Sequence, residues 1–160
     1  ANAVSIESLM LTPSEWGTDQ ENEQVLSDLV VGEGGNGVVA RLLQNPESRL
    51  QRLYLGGRRL GDHHFIAIAR LLPTSNLKTI DVAGIQSRGI LELAHQLPRI
   101  QSLKTVTLLP YDWSLHDQST VQVEEWIAAL VLGMMKNYSV EDLDLVKKLE
   151  HLADFRQGAL

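Results

Sequence analysis

What most limits how this chain can fold is a short apolar pattern that keeps returning. It consists of an apolar residue, two variable residues, an apolar residue, one variable residue and a third apolar residue. It reads Ile6-x-x-Leu9-x-Leu11, Leu26-x-x-Leu29-x-Val31, Leu50-x-x-Leu53-x-Leu55, Leu77-x-x-Ile80-x-Val82, Leu103-x-x-Val106-x-Leu108 and Val140-x-x-Leu143-x-Leu145. Successive starts are 20, 24, 27, 26 and 37 residues apart, and periods in the twenties belong to repeat architectures. The last two apolar residues of each copy are two apart, so they share one face of a strand, and the variable residues face the other way.

A second pattern follows the strands. Phe65, Ile68, Ala69 and Leu72 stand at i, i+3, i+4 and i+7, as do Ile90, Leu93, Ala94 and Leu97. Val39, Ala40 and Leu43 repeat the last three positions, and Ile127, Leu130, Val131 and Met134 repeat all four. This spacing is one face of an amphipathic helix. The alanines predict a close approach of helix to strand, and Pro73 and Pro98 mark where two helices stop. Strand followed by helix, repeated, predicts a parallel sheet in which each unit buries its apolar face only against its neighbours. Five or six such units make one α/β domain over residues 1–160, with repeats over 4–145.

The stretch Leu50–Leu72, LQRLYLGGRRLGDHHFIAIARLL, resembles a leucine-rich repeat of the ribonuclease-inhibitor type, and Lys136–Leu145, KNYSVEDLDL, is similar to its helix-to-strand junction. The resemblance implies a curved solenoid with the parallel sheet on the concave face and helices on the convex face. It also implies an intracellular scaffold, inhibitor or recognition region that binds another protein without catalysis. The chain departs from the family pattern where an Asn is usual after each strand: Ser14, Gly34, Arg58, Ile85, Tyr111 and Lys148 stand there instead, which predicts less regular loops. The first interval is too short for a full helix, so Thr12–Gln24 reads as a loop or a single turn. Leu109–Val121 reads as an insertion, and 146–160 as a C-terminal capping helix with Leu149, Leu152, Ala153 and Phe155 closing the core. No polar cap precedes Ile6, which leaves its strand as an edge or as a surface for further chain.

One motif competes with this reading. Gly32–Gly37 matches G-x-G-x-x-G, after an apolar strand Leu29–Val31 and before a helix Val38–Leu43. In a Rossmann-type domain that turn cradles a pyrophosphate, and Arg58 would suit the 2′-phosphate of NADP. The plainer reading is a set of turn glycines, since Gly61 and Gly89 stand in equivalent turns without any fingerprint.

Other chemistry finds little support. Asp62-His63-His64 does not converge on one ion, because neighbours on a helix point about 100° apart; Asp62 reads as a cap and the histidines as solvated. His95, His116 and His151 are scattered. Glu124 and Glu125, with Asp117, read as acids favoured near a helix start, and Ser114 and Ser119 lack a nucleophile elbow. Trp126 reads as core. No cofactor or metal site is expected. With no cysteine there is no disulfide or thiolate chemistry. Lys and Arg number 14 against 20 Asp and Glu, a net charge of −6, and aromatics are 5 %. Both argue against nucleic-acid binding.

No apolar run approaches the roughly 20 residues of a membrane span, and the first residues carry no signal peptide; the expected setting is intracellular and cytoplasmic. A start at Ala1 fits a processed chain or a fragment. The expected binding surface is the concave face. One column of variable positions runs Ser8, Asp28, Arg52, Thr79, Thr105 and Asp142; the next runs Met10, Val30, Tyr54, Asp81, Thr107 and Asp144. Arg and Tyr suit a protein contact, and Tyr111 and Trp113 in the insertion are a second contact candidate.

Overall fold

Four backbone carbonyls set the frame of the molecule. The Glu7 carbonyl accepts the N–H groups of Gln51 (2.8 Å) and Arg52 (3.1 Å), and the Gln51 carbonyl those of Lys78 (2.8 Å) and Thr79 (2.9 Å). The Lys78 carbonyl accepts Lys104 (2.7 Å) and Thr105 (3.1 Å), and the Lys104 carbonyl accepts Glu141 (2.8 Å) and Asp142 (3.1 Å). Each shared acceptor lies just ahead of a strand and ties it to the next one in the same phase. The computed structural model in which these bonds occur describes residues 6–11, 19–32, 35–56, 62–110 and 120–145.

The elements in chain order are β1 (Ser8–Leu11), α1 (Asp19–Val30), α2 (Val38–Gln44), β2 (Arg52–Leu55), α3 (Asp62–Leu71), β3 (Thr79–Ile85), α4 (Ser87–Gln96), β4 (Thr105–Pro110), α5 (Thr120–Met135) and β5 (Asp142–Asp144). All five strands are parallel and stand in sequence order, β1-β2-β3-β4-β5. The fold is therefore α/β, with helices linking neighbouring parallel strands. Among the described residues no helix is long and apolar enough to cross a membrane.

The core lies between sheet and helices. Leu50, Leu77 and Leu103 precede the strands; Leu53, Ile80 and Val106, then Leu55, Val82 and Leu108, lie within them, and all nine are buried. From the helix side come Val39, Ala40 and Leu43, then Phe65, Ile68, Ala69 and Leu72, then Ile90, Leu93, Ala94 and Leu97, also buried. Truncating any of these large side chains to Ala would cost about 2–5 kcal/mol. Leu72–Thr74 and Leu97–Arg99 form matching 3-10 turns around Pro73 and Pro98, ending α3 and α4. Proline stops the helix there because it has no N–H to donate.

Polar side chains stitch these loops in place of an Asn ladder. Asn76 Nδ2 donates to the Pro46 carbonyl (3.0 Å), and Ser102 Oγ to the Ser75 carbonyl (2.8 Å). Asn137 Nδ2 donates to the carbonyls of Leu97 (2.6 Å) and Ile100 (2.9 Å), while its Oδ1 accepts the N–H groups of Ser139 and Val140. The bonds donated by Asn76, Ser102 and Asn137 each join one unit to the preceding one at the end of the sheet where strands begin, while those accepted by Asn137 Oδ1 close its own turn. At the usual Asn position Ile85 is instead buried, because β3 continues past Val82. Gly84, at φ +86°, sits at the irregularity between Ala83 and Ile85, and the extra residue turns Ile85 back to the core.

Three expectations are corrected. The strand expected at Leu26–Val31 is helix: α1 runs Asp19–Val30, and Gln24 Nε2 donates to Asp28 Oδ1 at 3.0 Å, an i, i+4 contact. Glu and Gln lose little side-chain freedom in a helix, and the 19–30 segment is rich in both. β1 therefore pairs directly with β2, and among the described residues the sheet has five strands where the apolar pattern marks six. The loop expected over Thr12–Gln24 is helical from Asp19 onward. The buried face of α5 is Trp126, Leu130 and Gly133, whereas Ile127 and Val131 are exposed; a helix apolar on nearly every side leaves periodicity with no face to choose. Of the insertion expected over Leu109–Val121, Leu109 and Pro110 belong to β4 and Thr120 and Val121 to α5; 111–119, like the capping helix expected over 146–160, lies outside the described residues.

Gly133 and Glu92 make this packing testable. A Cβ on Gly133 would stand 2.6 Å from the Ala94 carbonyl oxygen of α4, so Gly133→Ala should force the helices apart and destabilise by about 1–3 kcal/mol, read by denaturant unfolding. On the helix layer, Arg70 Nε donates to Glu92 Oε1 at 3.2 Å and a second Arg70 nitrogen to Oε2 at 3.4 Å, while Gln96 Nε2 donates at 2.9 Å. The Arg70 hydrogen bond holds the Glu92 carboxyl below its ordinary value of 4.5, against a burial effect that raises it. A lowered carboxylate contributes stability above about pH 4.5 and loses it as pH falls through the lowered value. Glu92→Gln should therefore flatten the acid limb of the stability profile below that pH.

Candidate functional site

Strand register decides which side chains meet on the sheet face away from the helices. Ser8 is level with Arg52, Arg52 with Thr79, Thr79 with Thr105, and Thr105 with Asp142. Met10, Tyr54, Asp81, Thr107 and Asp144 form the second row in the same way. Neighbouring strands are about 4.8 Å apart, so each five-residue row spans about 19 Å. The two rows match the columns expected from sequence, except that Asp28 and Val30 belong to α1 and are not in the sheet. Arg52, Tyr54, Thr79, Asp81, Thr105, Thr107, Asp142 and Asp144 are thus brought together on one face. All eight are exposed or half-buried, and among the described residues no helix or strand packs over them.

The face is graded across the strands. Met10 is 67 % exposed on β1, and Tyr54 and Arg52 stand next to it on β2. Thr79, Thr105 and Thr107 stand with Asp81 on the central strands β3 and β4, Thr79 level with Thr105 and Asp81 level with Thr107. Asp142 and Asp144 make the far end acidic. Tyr54 has a prepared bed: a Cβ on Gly56 would lie 2.6 Å from a Tyr54 ring carbon and 2.7 Å from its hydroxyl oxygen. The ring lies along its own strand over Gly56, which has no side chain to displace it. Along the ends of the strands the exposed Lys104 Nζ meets Glu141 Oε1 at 2.7 Å. An exposed pair of this kind contributes at most about 1 kcal/mol.

The glycine motif has a different explanation from a phosphate loop. It joins two helices, α1 and α2, so the strand–turn–helix setting that the fingerprint demands is not formed. Gly32 ends α1 with φ +64° while its N–H reaches the Ser27 carbonyl (2.8 Å), and the Gly37 N–H bonds the Val31 carbonyl at 2.7 Å. A Cβ on Gly32 would stand 2.3 Å from the Gly37 nitrogen, and one on Gly37 2.6 Å from the Val31 carbonyl carbon. The glycines let two stretches of backbone cross in contact. Gly34, Arg58 and Gly61 lie outside the described residues.

The remaining candidates divide. Asp62 begins α3, and its Oδ1 accepts the Gly89 N–H of α4 at 3.2 Å. A carboxylate there complements the start of the neighbouring helix. Gly89 is itself a residue of α4, in its first turn. His63 is exposed, but His64 is fully buried, its ring 3.9 Å from that of His63, and not solvated as expected. His64 stands four residues before Ile68 and eight before Leu72, both buried, so the helical period already placed it on the inward side of α3. His95, Glu124 and Glu125 are exposed on helices away from the sheet rows, and Trp126 is core. Among the described residues no group of three or more His, Asp or Glu forms a metal site. Tyr111, Trp113, Ser114, His116, Asp117, Ser119 and His151 lie outside the described residues.

Comparison with known proteins yields no matching family model and no matching curated protein. The reading of the glycines is open to test: Gly37→Ala should lower stability by about 1–3 kcal/mol. NADP, NADPH, NAD and NADH should leave the thermal midpoint of the unsubstituted chain unchanged. A nucleotide bound by the native state alone would add about 2.7 kcal/mol at 100 times its dissociation constant, and a saturable rise of that kind would return the loop to the list of binding sites.

Proposed function

We propose that this protein is a non-catalytic recognition module that binds another protein through the sheet face carrying Arg52, Tyr54, Thr79, Asp81, Thr105, Thr107, Asp142 and Asp144. The observation that carries the reading is the register: variable side chains from five strands stand level in two rows, on a face that nothing among the described residues covers. Rigid strands hold such side chains with little ordering cost on binding. The Met10, Arg52 and Tyr54 corner supplies the aromatic and guanidinium groups on which protein contacts concentrate. The acidic Asp142 and Asp144 end selects a partner with basic groups about 15–20 Å from an apolar one. The resemblance to leucine-rich repeats supports the same reading, because an open parallel sheet lined by variable residues is the binding surface of that architecture. The finer description, a curved solenoid of repeats in an intracellular scaffold, belongs to this proposal.

Site-specific photo-crosslinking tests it. A photoreactive residue placed at Thr107, in the middle of the rows, should capture a specific protein partner. The same residue at Arg88, on the helix layer, should not. Capture should fall at least about tenfold with Arg52→Glu or Tyr54→Ala, the loss of a hot-spot side chain. Gly56→Ala should weaken it by pushing the Tyr54 ring off its bed while leaving the helical circular dichroism intact. Equal capture from both positions, or capture indifferent to Arg52 and Tyr54, would overturn the assignment of this face.

A further inference from the structure

The open sheet face is long across the strands and short along them. β1 and β2 have four residues each and β5 has three, so all five strands share only two outward positions. The two rows lie about 7 Å apart and each runs about 19 Å, the outline of a single rod laid across the strands. Backbone chemistry decides which kind of rod. The N–H and C=O groups of a sheet point to the neighbouring strands and not out of its face. An extended segment laid on this face would find no backbone partners there, and its own polar groups would give up water without replacement. An α-helix bonds its own backbone and brings side chains alone to the contact.

The spacing agrees. Successive turns of a helix are about 5.4 Å apart, close to the ~4.8 Å step between strands, so each strand meets about one turn. The second row then fixes what those turns carry. Asp81 of β3 is level with Thr107 of β4, and Thr107 with Asp144 of β5. Asp81 and Asp144 are thus two strands apart, about 9.6 Å, and residues i and i+7 of a helix are about 10.5 Å apart along its axis. Beyond Asp81 the same row continues to Tyr54 and then to Met10, which is 67 % exposed. These stand about 14 and 19 Å from Asp144, against about 16.5 and 21 Å for i+11 and i+14. Positions i, i+7, i+11 and i+14 fall on one stripe of a helix.

We propose that the partner segment held by this face is an amphipathic α-helix of about 15 residues lying across the strands. It carries Lys or Arg at i and i+7, over Asp144 and Asp81, and apolar side chains at i+11 and i+14, over Tyr54 and Met10. The inference rests on the reading of this face as the recognition surface, and it adds the partner's conformation and sequence pattern. Arg52, two residues from Tyr54 on β2, sets the direction, because it repels a helix laid the other way round with its basic residues at that end.

Peptide display on the full chain tests it. Two libraries of segments of about 15 residues are selected in parallel. One has a helical frame of Ala, Glu and Lys with i, i+3, i+4, i+7, i+11 and i+14 randomised; the other is extended, β-branched sequence with alternate positions randomised. Binders should come from the helical library and carry the basic and apolar residues at the stated positions. Their affinity should fall at least about tenfold on the Tyr54→Ala protein, and as much when a proline is put in the middle of the peptide. Charge exchange reads the register. A peptide with Glu at i should bind the unsubstituted chain weakly and regain at least about tenfold on Asp144→Lys but not on Asp81→Lys, and Glu at i+7 should give the reverse. The proline and Glu peptides test the unsubstituted protein, so part of the result does not depend on any variant folding. Binders from the extended library alone, lost on Tyr54→Ala, would overturn the helix and leave the face as the recognition surface. Helical binders indifferent to Tyr54→Ala and without charge exchange, or no binders from either library, would overturn both.

Discussion

The shared carbonyl ahead of each strand is the constraint on which the rest of this structure depends. By accepting two N–H groups from the next strand, Glu7, Gln51, Lys78 and Lys104 hold five strands in a common phase. A shift of one residue would exchange the two faces of a strand and put Leu53 or Ile80 in water. The buried leucines just ahead of the strands, Leu50, Leu77 and Leu103, resist the same slip from the core side. The Ser and Asn side chains of the neighbouring loops add bonds from unit to unit, so polar backbone at the turns is satisfied where the chain is least regular.

From that phase the division of labour between the faces follows. The helix side takes every second strand residue into a continuous core, and the other residues are left level in rows on the open side. The rows cost the fold little, because their side chains are not packed against an opposing layer. They are thus free to vary in chemistry, from Met10 and Tyr54 through the threonines to Asp142 and Asp144. A face built this way can change its chemistry without repacking the core.

Glycine serves three different purposes here, all through absent side chains. Gly32 and Gly37 let two backbone stretches cross, Gly133 lets α5 meet the Ala94 carbonyl, and Gly56 leaves room for the Tyr54 ring. The G-x-G-x-x-G spacing does not distinguish backbone crossing backbone from backbone approaching a phosphate, since both need the same lack of Cβ. Which one applies is decided by the element ahead of the motif, and that element is helix α1.

Sequence alone determined the α/β class, the parallel pairing and both rows of the sheet face wherever the apolar pattern fell in a strand, because a period of two sorts side chains to faces without help from distant contacts. It also placed the buried faces of α2, α3 and α4. Tertiary structure decided the rest. Leu26–Val31 satisfies a strand pattern and a helix equally well over six residues, so the longer helical stretch from Asp19 settled it. In α5 the apolar residues go nearly all the way round, and only the fit of Gly133 against α4 selects Trp126 and Leu130 for the core over Ile127 and Val131. Asp62 reaching Gly89, and Asn137 reaching Leu97 and Ile100, join residues 27 to 40 apart in the chain. No local spacing encodes such contacts, because they arise only when whole units stack.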